Sequence, residues 1–233
     1  MHGSDIISRI KQNGLVVYDT VIPNYFKLTA LEPGTINMDK SSKELYWSTN
    51  GKSWTLSPTS ESTISVEVTK GTNLYLKGSN TKYYYNLNGA FKTSTCNYNV
   101  SGNIMSLFYD EDFEDKVSFP ENNTYTLSGL FRNDAHLINA KDLLLPATTF
   151  NNHCYENMFI SCTSLVTAPE LPALSLPLYA YSGMFSDCTS LTTAPALPAT
   201  NLSSYCYTEM FVRCYNLTTA PTISATRIPS YGC

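Results

Sequence analysis

The sequence predicts a mixed β and α/β fold: a small antiparallel β-sandwich followed by a short solenoid with one strand and one short helix per repeat. Three observations predict it. Apolar and polar residues alternate in the first half, Asn-Gly pairs punctuate aromatic segments, and the last third repeats every 26 residues.

Residues 22–107 carry the sandwich. Ile64-Ser65-Val66-Glu67-Val68 alternates strictly, and Phe26-Lys27-Leu28, Leu74-Tyr75-Leu76 and Tyr83-Tyr84-Tyr85 are β-prone. Asn50-Gly51 lies between Leu45-Tyr46-Trp47-Ser48 and Trp54-Thr55-Leu56, where a tight hairpin needs two residues that tolerate positive φ. Asn88-Gly89 is a second such pair. Residues 1–21 are expected as an extended arm or tether, and 108–129 as a connector, with Asn103–Phe108 forming a packed segment before it.

Residues 130–233 hold the repeats. Met158-Phe159, Met184-Phe185 and Met210-Phe211 are 26 apart, as are Cys162, Cys188 and Cys214, and Leu165, Leu191 and Leu217. Ala168-Pro169, Ala194-Pro195 and Ala220-Pro221 keep the same step, and a weaker copy two residues longer begins at Leu130-Phe131. Leu202, Cys206 and Met210, four apart with Phe211 and Cys214 beside them, predict the short helix. Pro195 and Pro198 make the other half extended.

This frame, Met184-Phe185-Ser186-Asp187-Cys188-Thr189-Ser190-Leu191 continuing to Leu197-Pro198 and Leu202, resembles the BspA-like leucine-rich repeats of the Bacteroides and Bacteroides-phage type. The weaker first copy lacks cysteine, and Ala180 and Gly232 replace the cysteine found at Cys154 and Cys206. Tyr46–Trp54 is similar to the Trp-containing hairpins that accompany such repeats, and more faintly to sialidase Asp-boxes. The resemblance implies a leucine-rich-repeat solenoid used for adhesion or recognition outside a cell or on a virion, with no catalytic residue to carry over.

Composition narrows function further. The net charge of -4 and pI near 5.3 give no basic footprint, so nucleic acid is not an expected partner. No apolar run is long enough for a membrane helix. The N-terminus does not read as a signal peptide, and His2-Gly3-Ser4 is compatible with an expression scar. The chain has seven cysteines, and the six placed by the repeat are expected as small buried residues rather than a disulfide framework. No CxxC occurs and the three histidines are scattered, so neither a metal nor a cofactor is expected. The acidic run Asp110–Asp115 reads as a solvated surface loop. His153-Cys154 is not expected to be a catalytic pair, because helix neighbours point about 100° apart. Asn-x-Ser/Thr sites at Asn99, Asn201 and Asn216 are expected by chance in such a chain.

The candidate binding residues are two aromatic columns. His153, Tyr179, Tyr205 and Tyr231 share one register, and Tyr155, Tyr181 and Tyr207 another. Exposed, tyrosines would offer flat apolar area with a polar tip to a sugar or protein; the simpler expectation is a stacking ladder in the seam between repeats. Positions that vary, such as Asp187 against Arg213 or Glu170 against Ala196, suit interaction better.

The expected function is therefore a non-enzymatic binding or structural protein, first a virion-associated protein of a Bacteroides-type phage. A secreted cell-surface adhesin is the alternative, and an accessory domain of a carbohydrate-active enzyme a distant one. Other virion or surface proteins are the expected partners, through the N-terminal arm and the C-terminal end, where the repeat stops before the next Met-Phe and leaves Leu217 and Ile223 near an open face. A host glycan or surface protein, and a homo-oligomer, complete the expectation.

Overall fold

A computed structural model describes residues 7–12, 15–20, 22–40, 43–81, 89–121 and 123–231. Tyr83–Tyr85, Asn88, Gly232 and Cys233 lie outside that set.

In the segment expected to be an arm, β1 (Ile7–Gln12) and β2 (Leu15–Thr20) pair antiparallel as a hairpin. The main sheet has six strands: β3 (Phe26–Ala30), β5 (Leu45–Ser48), β6 (Thr55–Ser57), β8 (Asn73–Lys77), β9 (Tyr98–Asn103) and β10 (Leu137–Leu144). Their order is β10-β9-β3-β8-β5-β6, antiparallel throughout except for the parallel pair β9-β10. A separate two-stranded ribbon joins β4 (Gly34–Asp39) to β7 (Thr63–Val68). The strict alternation predicted for Ile64–Val68 is seen in β7, where Ile64, Val66 and Val68 are buried and their neighbours exposed. The expected antiparallel sandwich is thus corrected to one mixed sheet plus a ribbon. The reason is β10, which comes from the start of the repeats and pairs with β9 across a long connection.

The Trp47–Trp54 hairpin forms, but not through a two-residue turn. Only Gly51 takes positive φ (68°), and the Asn50 carboxamide accepts from Lys52 and Ser53 amides at 2.9 and 2.8 Å to close a longer loop. A side chain at Gly51 would lie 2.6 Å from Ile22. The expected packed segment runs into the one-turn helix α1 (Ser106–Tyr109), with Ile104, Met105, Leu107 and Phe108 buried.

The largest correction concerns the repeats. Strands make up 28% of the described residues and helix 2%, so there is no helix per repeat and the helix-bearing leucine-rich-repeat solenoid is not formed. An α-helix requires each amide to reach the carbonyl four residues back. Here the amides divide into two sets. Met158, Ile160 and Cys162 close three-residue turns onto Tyr155, Asn157 and Phe159. Asn157, Phe159 and Ser161 instead donate to Ser182, Met184 and Ser186 of the next repeat at 2.8–2.9 Å. The alternation demands left-handed residues: His153, Tyr155, Asn157 and Ser161 have φ of 55–63°, and Tyr179, Gly183 and Asp187 follow one repeat later. Each copy is therefore a ribbon of successive turns hydrogen-bonded to the next copy.

Side chains lock the layers together. Phe131, Phe159, Phe185 and Phe211 stack at 5.2, 5.4 and 5.7 Å, nearly parallel, and Phe91 joins them to the sheet at 5.2 Å from Phe131. Each such ring contributes about 1.5–3 kcal/mol by burial, and each stacked pair about 0.5–1.5 kcal/mol more. On the extended side the layers meet through parallel bridges Asn139–Thr167–Thr193 and Leu197–Ile223, and through the short strands β11 (Ser175–Leu176) and β12 (Asn201–Leu202). Among the described residues no helix is long and apolar enough to cross a membrane.

Candidate functional site

The two tyrosine columns have different fates. Tyr155, Tyr181 and Tyr207 are buried in the core. The other column is continuous and half-exposed: Tyr125, His153, Tyr179, Tyr205 and Tyr231 stack at 4.2, 4.8, 4.7 and 5.1 Å with planes within 20° of parallel. The rings cover one another's faces, so between Tyr125 and Tyr231 the column offers edges rather than platforms. Tyr231, the last described ring of the column, is 70% exposed.

The repeat cysteines and His153 are committed to packing. The Cys162, Cys188 and Cys214 thiols donate to the carbonyls of Phe131, Phe159 and Phe185 at 2.9–3.0 Å. Burial pushes each thiol up, Cys214 to about 11, away from the thiolate a nucleophile needs. All six described cysteines are buried and unbridged. His153 lies between two tyrosine rings with Nδ1 2.9 Å from Glu156, and Cys154 points instead toward the Asn123 carbonyl. The varying positions Asp187 and Arg213 pair across layers at 3.0 Å.

The acidic run is only partly a solvated loop. Asp112, Glu114 and Asp115 are exposed, but buried Phe113 anchors the segment and its start folds back on Lys77 of β8. The Lys77 ammonium sits 2.9 Å from Asp110, bonds Glu111, and lies 4.6 Å from the Trp54 ring centre. Burial alone would raise the Glu111 carboxyl, but bonds from Lys77 and Tyr25 outweigh it and lower it. No group of three or more metal-ligating side chains gathers among the described residues.

A continuous polar surface runs across both halves of the chain. Strand register places Asn73, Thr29, Asn99, Asn139, Thr167 and Thr193 side by side, one per strand or bridge. With strands ~4.8 Å apart, this polar row is roughly 24 Å long. Every member is half-buried or exposed, and Thr29 donates to Asn73 at 2.7 Å. A second row, Tyr75, Lys27, Ser101 and Asp142, lies beside it. Between Asn139 and Asp142 the register slips by one residue, a bulge that leaves both Lys141 and Asp142 exposed.

Two hollows open on this surface. One, of about 540 Å³, is lined by Asn24, Lys27, Ser101, Lys141, Asp142 and Glu170 among others. The second, of about 360 Å³, is walled by Pro169, Leu171, Pro172, Pro195, Ala196 and Pro198, with Glu170 again on its rim. Gly102 forms part of the first hollow's lining: its φ is 80°, and a Cβ there would lie 1.9 Å from the Tyr25 carbonyl oxygen.

Glu170 and Ala196 were marked in the sequence by their variation within the repeat; Lys27, Ser101, Lys141 and Asp142 were not, because strand pairing alone brings them together. No protein-family model, curated protein or solved structure matches the chain.

Proposed function

We propose that the protein is a non-enzymatic binding and structural protein that displays its stacked repeats outward, on the virion of a Bacteroides-type phage. The observation that carries the recognition part is the unbroken polar row from Asn73 to Thr193. It gives one rigid, extended and mostly uncharged contact surface whose spacing is set by backbone pairing. A non-catalytic role is supported by the use of thiols and of His153 in packing. The phage setting rests on the resemblance of the Met-Phe-x-x-Cys frame to BspA-like repeats. Other virion proteins are the proposed partners through the N-terminal segment and the last layer, where Tyr215, Ile223 and Ile228 are exposed.

Mass spectrometry of purified virions and of outer membranes from the host tests this. The protein is expected among the virion components as a defined oligomer. Recovery as a lipidated monomer on bacterial membranes would replace the virion reading with that of a surface adhesin. Turnover of a glycan that disappears on replacing one carboxylate would overturn the non-enzymatic reading.

A further inference from the structure

We infer that the two hollows sharing Glu170 form one binding site for a net-uncharged oligosaccharide, an inference that rests on the surface-recognition reading above. The charges lining the polar hollow balance: Lys27 and Lys141 face Asp142 and Glu170. Lys141 and Asp142 satisfy each other at 3.1 Å. Lys27 is held over the Tyr75 ring at 5.6 Å, and among the described residues neither Lys27 nor Glu170 has an ion-pair partner.

That lining discriminates between ligand chemistries. An anion placed at Lys27 would meet the two carboxylates, and a cation placed at Glu170 would meet the two ammonium groups. A hydroxyl suits both, because it accepts from an ammonium and donates to a carboxylate. The neighbouring hollow is walled by proline, leucine and alanine carbons, which complement the C–H face of a sugar ring. Thr167 and Thr193, which also line it, add hydroxyl partners. Together the hollows have the size and the apolar-plus-few-polar character of ligand sites. Backbone pairing of β9, β10 and the layers holds them open in advance, which reduces the ordering cost of binding.

Titration calorimetry on the whole chain tests the site, with neutral gluco-, manno- and galacto-configured hexasaccharides as probes and the corresponding uronate hexasaccharides as competitors in chemistry. At least one neutral probe is expected to bind, about tenfold or more tighter than its uronate counterpart. The double variant Lys27→Met/Glu170→Ala should weaken it by at least about tenfold while melting like the parent, because both side chains reach solvent. Tyr231→Ala should bind unchanged. Absence of neutral binding, preference for uronates, or full affinity in the double variant would each overturn the site. Failure here leaves virion recovery unaffected, whereas saccharide binding by a protein found on neither virion nor membrane would keep the site and remove the display reading.

Discussion

The sheet and the repeat layers bury the same kinds of residue, yet they pair their backbones by different rules. In β3 and β7 the backbone carries no left-handed residue, and side chains alternate between the core and the surface. In the turn ribbons, amides alternate between a local turn and the next layer, and left-handed residues recur at His153, Asn157 and Ser161. The comparison teaches that an apolar spacing of four does not by itself mean a helix, since two turns of a ribbon reproduce it.

Breaking the layers' side-chain ladder should have the largest effect. Phe159 is fully buried between Phe131 and Phe185. Phe159→Ala is expected to cost about 3–5 kcal/mol in denaturant unfolding, because removal leaves a cavity and unstacks two rings. Val66→Ala, in the ribbon of β4 and β7, removes a smaller buried side chain that belongs to no ring column and should cost less, about 1–3 kcal/mol. Equal losses would erase the contrast.

Next in size is Lys77→Met, which strands Asp110 and Glu111 beside an aromatic wall. About 1–3 kcal/mol should be lost, with the Trp54 fluorescence altered. The two regions should also respond to pH in opposite directions. Glu111 is lowered in the fold, so its contribution is present above its unfolded value and lost as pH falls through the folded one. Asp134, at the start of the layers, is raised by burial despite bonds from Tyr98 and the His136 amide. Its contribution is complete below its unfolded value and declines as pH rises through the folded one. Asp134→Asn should remove that decline in a stability-versus-pH series and leave the acid limb intact.

Much of this contrast was legible in the residues. The period of Phe159, Phe185 and Phe211 appears as a ring column, and the alternation at Ile64–Val68 appears as β7. The tyrosine registers were legible too, but not which column faces solvent, because that depends on the direction each ribbon residue takes. The expected helix failed for a readable reason. Gly129, Asn157 and Gly183 occupy one register inside the apolar stripe, and glycine or asparagine there marks a left-handed position. The polar row could not be read at all: Asn73, Thr29, Asn99 and Asn139 are far apart in sequence, and only strand register aligns them.

The smallest expected effect is also the most direct test, because its sign changes between the two backbone rules. Glu209 has φ of 56° and is exposed, while its neighbour Thr208 is not left-handed. In a ribbon, Glu209→Gly relieves a strained position and should stabilise by up to about 1 kcal/mol, whereas Thr208→Gly should destabilise by about 0.5–1 kcal/mol. In a helix both substitutions would destabilise by similar amounts, about 0.5–1 kcal/mol. Measuring the two variants side by side by denaturant unfolding decides it. Opposite signs are the predicted result, and equal losses would contradict the turn-ribbon architecture.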